Sequence, residues 1–134
     1  MFRLLSLALL FVLPALAADA PKDHPLIAKL KELKVKGSFT LLVTLKIKSG
    51  ETKAFFELAK PCVDATRKEK GCIAYDPQTS LTDPTKVVFY ERWKSIEALA
   101  EHLNAEHTKT LLAGIGKLLD GEPVMEFYQM PEDR

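Results

Sequence analysis

Phe39-Thr40-Leu41-Leu42-Val43-Thr44-Leu45-Lys46-Ile47-Lys48 alternates along its length. Phe39, Leu41, Val43, Leu45 and Ile47 fall on one side, and Thr40, Leu42, Thr44, Lys46 and Lys48 on the other. A period of two is that of a strand with one apolar face. Ser49-Gly50 turns the chain, and Glu51 to Lys70 follows with Phe55, Phe56, Ala59, Val63 and Thr66 at helical spacing. Pro61 lies inside this helix and removes one of its hydrogen bonds. Gly71 ends it. Cys72 to Gln78 reads as a second strand, Thr82-Asp83-Pro84-Thr85 as a turn, and Lys86 to Trp93 (KVVFYERW) as a third strand. Ser95 is suited to cap a helix over Ile96 to Asn104. Thr108 to Leu119 is expected to be helical, and Pro123 to Met130 a fourth strand. The order β-α-β-β-α-β is that of the ferredoxin-like α+β class, with both helices on one face of the sheet.

Upstream of this unit the chain changes character. Met1-Phe2-Arg3 carries one positive charge, Leu4 to Leu13 is apolar apart from Ser6, and Ala15-Leu16-Ala17 supplies small residues before a polar stretch. That pattern predicts a signal peptide over residues 1–17, hence a periplasmic or secreted protein. The run is too short to span a hydrocarbon core of roughly 30 Å, and no later run is long enough for a membrane span. Residues 18–37 form a leader. Within it Leu26, Ile27, Leu30 and Leu33, interleaved with lysines, predict a short amphipathic helix at roughly 25–34. Such a helix either packs on the domain or lies on a membrane surface.

The whole chain has 134 residues, with 19 basic and 18 acidic side chains. Removing residues 1–17 removes Arg3 and no acid, which leaves the charge balanced. A nucleic-acid binder needs a cationic surplus, so that class is excluded. The remaining length suits one domain. On the face of the sheet away from the helices, Leu42 and Thr44 would be joined by one of two sets: Phe89, Glu91 and Trp93, or Val88, Tyr90 and Arg92. A large apolar face is costly in a monomer, so a homodimer with sheets stacked is expected.

Several further runs are similar to a known family. Pro61-Cys62-Val63-Asp64-Ala65-Thr66-Arg67, Glu69-Lys70-Gly71-Cys72 and Tyr75-Asp76 resemble the first helix and second strand of the antibiotic-biosynthesis-monooxygenase domain. Phe89-Tyr90-Glu91-Arg92-Trp93, Ser95, Glu97-Ala98-Leu99, His102-Leu103 and His107 resemble its third strand and second helix. The domain would occupy residues 38–131, nearest in kind to the small quinol monooxygenases. The resemblance implies a dimeric α+β barrel. It also implies cofactor-independent oxygenation by dioxygen of a quinol or other electron-rich aromatic substrate, with no flavin, haem or metal. The haem-degrading relatives use a first-strand Asn, a second-helix Trp and a later His. Leu42 and Val43, His102, and the region of Leu112 stand at those places, so a haem role is not expected.

His102 and His107 are the acid/base candidates, since imidazole titrates near neutral pH. The competing account is two partly exposed structural histidines. Two His with only Glu101 and Glu106 close in sequence do not make a zinc motif, and His24 in the leader has no assigned role. Glu91 and Trp93, two apart, share a strand face. If that face lines a cavity, Glu91 is a buried carboxylate that orients a histidine or a substrate hydroxyl, and Trp93 is an aromatic wall. Otherwise Glu91 pairs with Arg92 or a lysine and Trp93 is plain core. Phe89, Tyr90, Tyr75 and Leu42 complete the candidate substrate contacts. Cys62 and Cys72 can form a disulfide in an oxidising compartment if their Cα atoms lie within about 7 Å; otherwise Cys72 is a small buried hydrophobe. Three functions follow from these groups: a monooxygenase, a binding module for a small apolar ligand, or an isomerase on the same fold.

Overall fold

The computed structural model describes residues 23–134. The expected signal peptide lies outside the described residues. Helix α1 (Pro25–Glu32) is followed by β1 (Phe39–Lys46), α2 (Thr52–Thr66), β2 (Cys72–Thr79), β3 (Lys86–Trp93), α3 (Ile96–Asn104), α4 (Glu106–Ile115) and β4 (Val124–Tyr128). Single 3-10 turns lie at Gly116–Leu118 and Pro131–Asp133. From β1 onward this is the expected ferredoxin-like order.

The sheet is antiparallel throughout, in the order β2-β3-β1-β4. Register fixes the faces. Phe39 pairs with Trp93, Leu41 with Glu91, Val43 with Phe89 and Leu45 with Val87. Tyr75 of β2 stands across from Glu91. Most of this face is buried, Trp93 and Val87 completely, in one core with Phe55, Ala59 and Val63 of α2, Leu99 of α3 and Leu111 of α4. The opposite face is built from Thr40, Leu42 and Thr44 with Arg92, Tyr90 and Val88. That settles which strand-three set faces outward, and it makes the outer face more polar than expected. Arg92, Asp76, Gln78 and Glu126 are interleaved among Leu42, Val88 and Tyr90.

Helix ends differ from the periodic expectation for local reasons. α2 stops at Thr66 because Lys68 and Glu69 turn back with i→i−3 hydrogen bonds to Ala65 and Thr66. α4 begins at Glu106, two residues early. The extended Ala105 both closes α3 and opens α4. Ser95 caps α3 as expected, its Oγ accepting from the Ala98 N–H at 3.1 Å. A Cβ on Gly71 would meet the Ala98 Cβ at 2.2 Å, so only glycine lets α3 approach the start of β2.

α1 packs on the domain. Leu26, Ile27 and Leu30 join the core, so its apolar face is used internally. His24 has a structural task that its sequence context did not suggest. Its Nδ1 accepts from the Leu26 N–H at 3.2 Å and caps the helix, with Pro25 at the first helical position.

Candidate functional site

Between the inner sheet face and the helices lies a cavity of about 130 Å³. Leu41, Val43 and Leu45 of β1 and Phe89 of β3 form its floor. Leu99 and Leu103 of α3, with Leu111, Leu112 and Ile115 of α4, form the roof. Tyr75, Glu91, His102 and Thr108 bring the polar atoms. A larger cleft of about 420 Å³, beside β4 and the α1–β1 connection, is lined by Lys34, Lys36, Phe127 and Arg134 among others. Its walls contain no histidine, cysteine or carboxylate side chain, so it lacks groups for acid/base chemistry at neutral pH.

Glu91 points inward from β3 because it alternates with Tyr90 and Arg92. It is 6% exposed. Its Oε2 accepts the Trp93 indole N–H at 2.9 Å, and its Oε1 makes no hydrogen bond among the described residues. Burial pushes the carboxyl up to about 7; the Trp93 N–H opposes this and the charge of Glu69 adds to it. A carboxyl of that kind is present in both protonation states near neutrality.

His102, on the last turn of α3, is 3% exposed. Its ring lies against Trp93 and Tyr75, with centroids 4.7 and 5.3 Å away. Burial lowers its pKa; a hydrogen bond to Glu69 and that residue's charge oppose the effect. The neutral ring is therefore favoured. Nδ1 lies 3.1 Å from Glu69 Oε1, and Thr108 Oγ1 is 3.4 Å from Nε2. His107, on the first turn of α4, places its Nε2 2.5 Å from the same Glu69 oxygen.

Glu91, Phe89, Tyr75 and His102 thus meet at one cavity. Trp93 stands behind His102, holding both that ring and Glu91. His107 does not line the cavity but meets His102 through Glu69. Leu42 and Tyr90 are corrected: strand alternation puts both on the outer face, away from the cavity. Of the two orienting roles expected of Glu91, the one toward a histidine falls elsewhere. Glu91 bonds to Trp93, and the carboxylate that reaches both histidines is Glu69. Nothing periodic marks Glu69, which sits in the turn between α2 and β2, 33 residues before His102. Cys62 and Cys72 are free thiols. Burial raises both, Cys72 to about 11, and Cys62 packs its sulfur 3.6 Å from Thr66 Oγ1.

Comparison with known proteins agrees with this architecture. A Synechocystis protein of uncharacterised function is 25% identical over 101 residues, which span 73% of this chain and 69% of that one. A structure from Caulobacter crescentus aligns with a TM-score of 0.70 at 23% identity, covering 76% of this chain and 97% of the other. One from Pseudomonas aeruginosa aligns at 0.65 and 26% identity, covering 72% and 97%. The family model of the antibiotic biosynthesis monooxygenases matches residues 38–113, more than half of the sequence, and the chain belongs to that family.

Proposed function

We propose that this protein is an exported monooxygenase that oxygenates a small quinol or similar electron-rich phenol, without an organic cofactor, in the cavity beneath α3 and α4. One observation supports this above the rest: a carboxyl brought to about 7 faces an apolar cavity with one oxygen free. A base tuned near the working pH is what removal of a phenolic proton requires. The cavity size favours a single ring, since an apolar cavity of about 150 Å³ accommodates benzene.

Glu91 takes the phenolic proton. The phenolate gives one electron to dioxygen, and the two radicals combine to form a carbon–oxygen bond. The resulting peroxide loses water. For a hydroquinone the balance is quinol plus dioxygen to hydroxyquinone plus water. The substrate supplies all four electrons. One oxygen atom enters the ring and the other leaves as water. His102 forms the polar wall beside the reacting ring, held in place by Glu69, Trp93 and Tyr75. Residues 1–17 serve export, and a second copy covers the outer sheet face around Leu42 and Tyr90.

Oxygen uptake by chelator-treated protein with a panel of monocyclic hydroquinones tests this. Uptake should be equimolar with product, and Glu91→Gln should lower kcat by about 10²-fold or more. Inert quinols, or an unchanged Glu91→Gln enzyme, would defeat it. The Glu91–Trp93 hydrogen bond also favours a second account, in which Glu91 is structural and the cavity only binds. Ligand-dependent thermal stabilisation without oxygen uptake would favour that account.

A further inference from the structure

Glu69, His102 and His107 come from three separate elements: the turn after α2, the end of α3 and the start of α4. Their donor atoms Oε1, Nδ1 and Nε2 all lie within 4.8 Å of one another. Glu69 and His107 do not line the cavity; the proposed oxygenation uses Glu69 only to hold His102 and gives His107 no task. A histidine held by a carboxylate is common as a clamp. Two histidines converging on one oxygen of a single carboxylate, at 3.1 and 2.5 Å, are a more demanding arrangement.

We propose that Glu69, His102 and His107 form a binding site for a divalent transition-metal cation of the Zn²⁺ class. Two imidazole nitrogens and one carboxylate oxygen suit Zn²⁺, Fe²⁺, Ni²⁺ or Cu²⁺ rather than Mg²⁺ or Ca²⁺, which prefer all-oxygen sites. Metal–ligand bonds of about 2.0–2.1 Å in a tetrahedral site space the donors about 3.3 Å apart. The His102–Glu69 pair already meets that spacing. The His107–Glu69 pair must open by less than an ångström, and these two side chains are the ones with room, at 25% and 20% exposed. Three protein ligands leave a fourth position for water or a small anion.

A second feature points the same way. Metal-binding histidines are usually held through their other ring nitrogen and by packing. The His102 ring is fixed between Trp93 and Tyr75, with the buried Thr108 Oγ1 against its edge at 3.3 Å from Nδ1 and 3.4 Å from Nε2. One of the three ligands is therefore preorganised, while the other two can close onto an arriving ion. The bound cation would tie the α2–β2 turn to the α3–α4 corner.

The test is calorimetric titration of tag-free, chelator-stripped protein with ZnCl₂ and CoCl₂, with MgCl₂ as the control. Zn²⁺ and Co²⁺ should bind one per chain, raise the Tm and, for Co²⁺, give the visible absorption of a low-coordinate ion. Mg²⁺ should do none of these. His107→Ala and the shape-preserving Glu69→Gln should each weaken Zn²⁺ binding by about tenfold or more, whereas His24→Ala should not. Absence of stoichiometric Zn²⁺ binding overturns the proposal. So does binding that survives both site substitutions. Because the readouts are binding and absorption, they stand whether or not any quinol is turned over.

Discussion

Replacing Glu91 by Gln should make the folded protein more stable at neutral and alkaline pH while barely changing it in acid. The folded carboxyl titrates at about 7, against an ordinary value of 4.5. Below 4.5 the group is protonated in both states, and its burial carries no ionisation penalty. Between 4.5 and 7 the unfolded chain releases the proton and the folded chain retains it, so stability falls as pH rises. Above 7 the fall levels off. At about 1.4 kcal/mol per pH unit, the total is about 3 kcal/mol, and the residue is too buried for solvent to screen much of it. Glutamine keeps the size of the side chain and still offers an oxygen to the Trp93 N–H. The variant should therefore match the parent near pH 4.5 and exceed it by about 3 kcal/mol at pH 8. Urea unfolding of both proteins at half-unit intervals measures the difference, in which the contributions of all other titrating groups largely cancel. A difference that stays flat from pH 4.5 to 8 would mean that the folded state ionises Glu91 like an exposed carboxylate, and the burial argument would fail.

Gly71→Ala should destabilise by about 1–3 kcal/mol, because its Cβ would meet the Ala98 Cβ at 2.2 Å. Ala98→Gly in the same chain should recover part of the loss, and a single variant within 0.5 kcal/mol of the parent, roughly the range of a surface change, would contradict the close approach. Cys62 and Cys72, both free and both raised by burial, should react slowly with a thiol reagent in the folded protein. In denaturant without reductant both should titrate, and a chain with no titratable thiol would show that they pair.

Much of the fold was legible because it rests on short-range pattern. Phe39 to Ile47 alternates cleanly, and Ser95 announces α3. Alternation in β3 separates Val88, Tyr90 and Arg92 from Phe89, Glu91 and Trp93 but does not say which set faces inward. The choice depends on the helices packed above. With Phe89 and Trp93 inside, Glu91 must be inside too, whatever its cost in solvation. Helix ends were less legible, since the tightened turn at Lys68 and Glu69 and the extended Ala105 leave no mark in periodicity. The site was half legible. His102, His107 and Glu91 are conspicuous by residue type, but the partner of the two histidines is Glu69, brought near by the crossing of α3 over the α2–β2 turn.

The two carboxylates around His102 show how one short stretch of fold separates chemical roles. Glu69 sits at the rim, partly open to solvent, and gives one oxygen to two imidazoles. Glu91 lies beneath, reaches only an indole N–H, and is driven toward its neutral form by burial and by the charge of Glu69. Trp93 and His102 link them: the indole N–H bonds to Glu91, and its ring packs on His102, which reaches Glu69. A buried carboxyl brought near neutrality beside a cavity is suited to acid/base work. The lower group can exchange a proton with a ligand in the cavity, and the upper group can serve as a ligand to a cation. Each proposed role therefore needs the other site to stay distinct. A cation held by Glu69 leaves the cavity carboxyl free, and a ring bound over Glu91 leaves the histidine cluster open at its rim.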